Sequence, residues 1–319
     1  MTLKFALATA AAAAALAASA SAEKFNASRI VFDDVTATVE IKQATTPGID
    51  VVVRQGKDYH KIDVAAKDGV VTLKGEPWKD VEPYDCCNTR IIRTFDARQD
   101  RKATTGAPVD EDLFSRRPTI IVSVPKDADV SFIDARMKLN MASITGALNL
   151  DACYVYGQAG DAGSAVVGML SGSRLVMGNV GSGLEVDLSG DADFKAGRAA
   201  TVDVDIAGTG DVILGEVDGM LDVSIAGSGS VRNAKLDGPL TARIAGSGAV
   251  LVGAGVADKL KVTIDGSGTV LVDGQAVDPQ LRLYGSSEVR LGSVKGRIQH
   301  AGSGEVYVGG KLVPPASLR

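Results

Sequence analysis

Histidine is almost absent from this sequence. His60 and His300 are the only two, and cysteine adds only Cys86, Cys87 and Cys153. These five residues show none of the paired spacings by which Cys and His hold a metal, so no metal centre of that kind is expected. A nucleophile elbow is missing as well: no serine stands in a Gly-x-Ser-x-Gly context. Net positive charge is lacking too. The chain carries 34 Lys and Arg against 39 Asp and Glu, a net charge of −5, which argues against a general binder of nucleic acid or anionic membranes. Beyond the N-terminus, no apolar run reaches the roughly 18 residues of a membrane-spanning helix.

The opening MTLKFALATAAAAAALAASASAEK has one lysine, an alanine-rich apolar run and the small residues Ala20-Ser21-Ala22. That is the layout of a secretory signal peptide. Residues 1–22 are read as such, with cleavage after Ala22 and the Ala18-Ser19-Ala20 triplet as the alternative. No cysteine sits at the cut, so no lipid anchor is expected there. The remainder is expected outside the cytoplasm, in the periplasm or on the outer surface of a bacterium. In an oxidising compartment one cysteine pair can close. Adjacent cysteines bridge only with strain, so Cys153 is expected to pair with Cys86 or with Cys87.

What the sequence has in abundance is glycine, 37 residues of it, recurring at regular intervals through the second half. A template emerges from LEVDL (184–188), VDVDI (202–206), LDVSI (221–225), LTARI (240–244), LKVTI (260–264), PQLRL (279–283) and GRIQH (296–300). Apolar residues hold positions one, three and five, the period-two pattern of a strand with one buried face. A Gly-x-Gly-like corner follows each copy, at Gly190, Gly208, Gly227, Gly246, Gly266, Gly285 and Gly302. A second short strand comes next, such as Val250-Leu251-Val252. Asp-Gly and Asp-Pro steps close most copies, and both favour turns.

A unit of 17–20 residues with two strands and tight corners cannot bury its apolar face alone, so successive units must stack. The expected fold is all-β: a parallel β-helix (β-solenoid), right-handed, of about seven to eight rungs. Residues 126–312 are assigned to it and 313–319 to a tail. Residues 23–125 show strands and Asp-Gly turns but not the rung template, and are expected to form an N-terminal β segment or cap over an open sheet edge. Within them, 76–118 is a long charged loop that holds the only tryptophan, Trp78, and two of the cysteines.

VTATVEIKQ, IDVAAKDGVVTLKG, IIVSVP and the recurring GSG and GTG corners together make the chain similar to the "Putative auto-transporter adhesin, head GIN domain" family of bacterial exported proteins. The resemblance spans roughly residues 30 to 310. It implies a β-helical fold and an envelope or surface location, and it brings no catalytic residues. The cysteine-bearing segment 76–118 departs from the family pattern.

The GSG corners themselves are not sites. Each leads into a β-branched strand residue rather than a helix N-terminus with a lysine, as a phosphate loop requires. Ser228, Ser247, Ser267 and Ser303 recur in equivalent places, whereas a catalytic serine is unique. Their hydroxyls are expected to bond along the stack of corners.

Outward positions two and four of the first strand carry the charge. Glu185, Asp187, Asp203, Asp205 and Asp222 fall in the first three copies; Arg243, Lys261, Arg282 and Arg297 fall in the last four. The five acids are candidate ligands of a weak cation site, with Ca²⁺ the ion that carboxylates suit. The four bases, with Trp78, are candidate binding residues for an envelope glycan, a lipid headgroup or a protein partner. No other cofactor is expected. The outer face of the second strand carries Ile213, Leu251, Leu271 and Tyr307 and is expected to be covered by the N-terminal half. A homo-oligomer is open to such a rod. The function this supports is a non-enzymatic, exported, adhesin-like or structural binding scaffold. The alternative is a polysaccharide-active β-helix enzyme, a lyase or glycosidase, which needs converging carboxylates or a calcium site with a basic residue.

Overall fold

The computed structural model describes residues 22–76, 112–170 and 172–314, and every regular element in them is a β-strand except the single helical turn Asp112–Ser115. The strands form a β-solenoid of about nine turns with an N-terminal β segment. Neighbouring turns pair in parallel along their whole length. Val202 lies beside Leu221, Leu221 beside Leu240, and Leu240 beside Leu260. Positions one, three and five point inward throughout: Leu221, Val223 and Ile225 are buried, while Asp222 and Ser224 between them are not. Each such aliphatic side chain contributes roughly 1.5–3 kcal/mol by leaving water, but only once a turn sits above it and another below.

The corners show why glycine recurs. Gly227 has φ +134°, and a Cβ on it would lie 2.2 Å from the carbonyl oxygen of Gly208 in the turn below. Both the left-handed backbone and the close approach of stacked corners demand glycine. The serine between the glycines bonds along the stack by its hydroxyl at Ser303, which donates to Gly285 O at 3.3 Å, and elsewhere by its main chain. The backbone N–H of Ser228 donates to Gly208 O at 2.9 Å, and Ser247 and Ser267 repeat the contact with Gly227 and Gly246. Their side chains are exposed. The ladder is therefore made mainly by the main chain, because the carbonyl oxygens of the turn below already face the next turn's N–H.

The stack begins well before the repeat becomes visible in sequence. Asp129–Met141 pairs in parallel with Ala147–Ala159, shifted by 18 residues between Val130 and Leu148. Arg29–Asp33 and Thr36–Gln43 then pair in parallel with Asp129–Met141 on its other side. Below them lie Val70–Lys74 and Thr119–Val124, again parallel. Most of the N-terminal segment thus continues the solenoid. Its core is continuous with the rest: Phe32 stacks on Phe132 with ring centroids 4.6 Å apart.

True capping is left to three antiparallel strands. Asp63–Lys67 folds onto Val70–Lys74, Ile49–Arg54 onto Thr119–Val124, and Ala22–Phe25 onto Ile49–Arg54. They cover an end that would otherwise template aggregation. At the far end Lys311–Leu312 turns back antiparallel on Glu305–Val308.

Two expectations need correction. The final turn is out of step with the sequence template by two residues, since Gln280 lies beside Gln299 and Leu281 beside His300. The spacing from the previous turn is therefore 19 residues where the template reads 17. A shortened corner explains it: Gly302 stacks over Leu283, not over Gly285. The second correction concerns the apolar strip on the outer face of the second strand. The described N-terminal strands sit at the end of the rod and do not cover it; Ile213 remains 41% exposed.

Candidate functional site

Because turns stack in register, outward side chains of the first strand form straight columns. One column runs Glu185, Asp203, Asp222, Thr241, Lys261, Gln280, Gln299. Its neighbour runs Asp187, Asp205, Ser224, Arg243, Thr263, Arg282, Ala301. Neighbouring turns are ~4.8 Å apart, so like charges in a column repel. The effect is visible in the carboxylates. Partial burial, then Asp205 and Asp222 beside it, push the Asp203 carboxyl above its usual range. Burial also raises Asp205, against a hydrogen bond from Ser224.

The acidic column extends further than the sequence template reveals. Asp187 stacks on Gly168 and Gly168 on Asp151, whose carboxyl burial also raises. Next to it stand Asp134 and Asp34, both raised first by burial and then by neighbouring carboxylates. Counting back from Asp187 in steps of 17 to 19 residues would have reached Asp151. The glycine at 168 hides the pattern by interrupting it.

The boundary between the two signs is stitched within one molecule. Arg243 donates from Nη1 to Asp222 Oδ1 at 2.7 Å, diagonally across adjacent turns. Lys261 and Arg282 have no such partner among the described residues. Together with Gln280, Gln299, His300 and Ala301 they line a shallow depression of about 280 Å³ at the basic end of the face. Ala301 makes it, being the small residue that follows Arg282 in its column. His300 turns inward beside Leu281, where burial lowers its imidazole pKa, and its Nε2 has no hydrogen-bond partner.

Arg297 does not join this face. The register slip puts it before the last first strand, Gln299–Gly302, where its backbone N–H bonds Asp278 Oδ1 at 3.0 Å. Glu185, Asp187, Asp203, Asp205 and Asp222 share the face but do not converge; among the described residues no three Asp, Glu, His or Cys are grouped to hold a metal ion. A flat parallel sheet projects its side chains side by side, which explains the difference. Cys153 is buried and disulfide-bonded. Cys86 and Cys87, with which the sequence pairs it, lie outside the described residues, as does Trp78.

No helix among the described residues is long and apolar enough to cross a membrane. Among curated proteins none matches the chain. Among solved structures, the chain is similar to a putative lipid binding protein from Parabacteroides distasonis, at 12% identity and a TM-score of 0.30, over 92% of this chain and 97% of that one. A putative adhesin from Parabacteroides merdae is 15% identical with a TM-score of 0.32, again over 92% and 97%. A putative cell adhesion protein from Clostridium sporogenes is 9% identical, covering 90% and 99%, with a TM-score of 0.18. The family model described as "Putative auto-transporter adhesin, head GIN domain" matches residues 29–276. This stretch takes in both the glycine-cornered turns and the N-terminal strands that stack beneath them, and the chain belongs to that family.

Proposed function

We propose that this protein is an exported cell-envelope scaffold of the adhesin-like kind, binding through the outward face of its first strands rather than turning over a substrate. The observation that carries the reading is the charge-sorted pair of columns: acids from Glu185 to Asp222, then Arg243, Lys261 and Arg282, with the shallow depression at the basic end. The parallel sheet sets these side chains out at the fixed pitch of its turns. A repeating array of this kind suits an extended, repeating partner. Lys261 and Arg282 with two glutamines offer donors for the acidic groups of an anionic envelope glycan, with charge-assisted bonds the strongest contribution. Family membership is consistent with export and adhesion.

The test is a glycan array probed with the purified protein and with Lys261→Ala/Arg282→Ala, alongside lyase and glycosidase assays on any glycan retained. Retention of acidic glycans that the double variant loses, with no cleavage, supports the scaffold. Cleavage of a bound glycan would instead favour the polysaccharide-active enzyme.

A further inference from the structure

The charge pattern on this face is complementary to itself. We propose that two copies of the chain associate face to face through it, related by a two-fold axis that runs along the strands between the turns of Asp222 and Thr241. This rests on reading the face as a binding surface and names a second copy as the partner that fits it.

The symmetry is set by the register. Such an axis inverts the stack while keeping strand positions opposite one another. The turn of Asp203 then meets the turn of Lys261, and the turn of Asp187 meets that of Arg282. Asp203 faces Lys261, Asp187 faces Arg282, and Arg243 faces Ser224 beside Asp222. Each contact occurs twice, as an isologous interface requires. No acid is set against an acid. A two-fold along the stack would do the opposite, keeping each turn on its own copy and setting Asp203 against Asp205.

The two central turns carry Asp222, Ser224, Thr241 and Arg243, with the Arg243–Asp222 ion pair between them, and apolar residues at both ends of the strands. The two turns that straddle the axis present Met220, 46% exposed, with Pro239 at one end of the strands, and Ala226 with Ala245 at the other. Under the same two-fold, Met220 meets Pro239 and Ala226 meets Ala245. These apolar residues flank the central polar positions, while Asp203, Asp187, Lys261 and Arg282 lie on the turns outside. Six turns by the outward width of one strand give about 29 Å by 20 Å of face. The pair would bury roughly 1,200 Å², at the lower bound of standard interfaces.

Formed in this way, the dimer covers Lys261 and Arg282. An acidic glycan and a second copy therefore compete for the same residues.

The experiment is sedimentation velocity on the purified protein across concentration and salt, with charge swaps at opposed positions. A dimer is expected at low ionic strength that weakens as salt screens the pairs. Asp203→Lys alone places lysine on Lys261, and Lys261→Asp alone places aspartate on Asp203; each is expected to weaken association at least tenfold. The combined Asp203→Lys/Lys261→Asp protein restores opposite charges and is expected to recover most of it. Both positions are on the outer face, and circular dichroism verifies that each variant folds. A monomer at every concentration overturns the proposal, as does a dimer indifferent to the single swaps or one the combined swap does not rescue. Glycan retention measured on the same proteins keeps the two readings apart: a monomer that still holds glycan refutes the dimer and leaves the binding face standing.

Discussion

The two halves of the rod solve the same stacking problem with different corners. From Gly190 to Gly285 the chain turns at glycines with positive φ, each directly over the last. In the N-terminal turns the corresponding bends fall at Asp34 and Asp134, with φ near 55° and 51°. The backbone N–H of Asp34 donates to the carbonyl of Ile133, beside Asp134, at 3.1 Å, so these bends also stack. Aspartate tolerates the left-handed region better than most residues. The difference lies in backbone and crowding: Gly227 combines φ +134° with a Cβ position 2.2 Å from Gly208 O and admits only glycine, whereas φ near 55° is left-handed backbone that aspartate tolerates. The aspartate solution has a cost: burial first, and then the neighbouring carboxylates gathered on one face, raise their pKa.

The largest expected effect breaks that comparison at its strict side. Gly227→Val places a branched side chain at φ +134° with its Cβ 2.2 Å from Gly208 O. Strain and overpacking together should cost about 3–5 kcal/mol, read by urea unfolding. Asp34→Gly at the permissive side should stay within about 1 kcal/mol of the parent. Equal losses at the two positions would dismiss the crowding argument.

Core continuity between the halves comes next in size. Phe132→Ala removes the ring that stacks on Phe32 where the N-terminal turn meets Asp129–Met141. A loss of about 3–4 kcal/mol is expected. If the N-terminal strands were only a loose cap, the main thermal transition would barely move.

The carboxylates sharpen the electrostatic half of the comparison. Asp203 and Asp205 have folded pKa values raised above the ordinary value of 3.8. A raised folded pKa means the native state holds the proton more tightly, so stability from these groups is full below the unfolded pKa and is lost as pH rises through the folded one. Asp203→Asn/Asp205→Asn should therefore melt higher than the parent at pH 7, by roughly 1–3 °C. The gain should vanish as pH falls below the usual carboxylate range. Melting curves from pH 3 to 8 give the check, and a variant less stable at pH 7 would contradict it.

The smallest effect belongs to the residue that most resembles a nucleophile. Ser228→Ala keeps the N–H that bonds Gly208 O and removes only an exposed hydroxyl. Its stability should change by less than about 0.5 kcal/mol, and glycan retention should be unaltered.

How much of this could be read from the sequence differs along the rod. The spacings from Leu184 to Leu260 in the sequence are those the stacked strands adopt. The acidic and basic ends of the face follow directly from them. Upstream the 18-residue shift persists between Val130 and Leu148, but without glycine corners to mark it. At the last turn a shortened corner moved His300 inward opposite Leu281 and left Arg297 off the face. No local pattern announces either change.

Local chemistry determined what local chemistry can. Period-two apolar positions dictate which side of a strand is buried, and glycine at a forced positive φ dictates where the chain turns. From those two rules come the rod and the sorted charges on its face. Tertiary structure alone decided that Arg29–Gln43 lies between Asp129–Met141 and the pair formed by Val70–Lys74 and Thr119–Val124. It alone gave most of the corner ladder to the main chain, with a serine hydroxyl joining it at Ser303. The physical reason is that pairing between strands far apart in the chain depends on which faces remain to be buried, and a strand's own residues do not encode which neighbour will bury them.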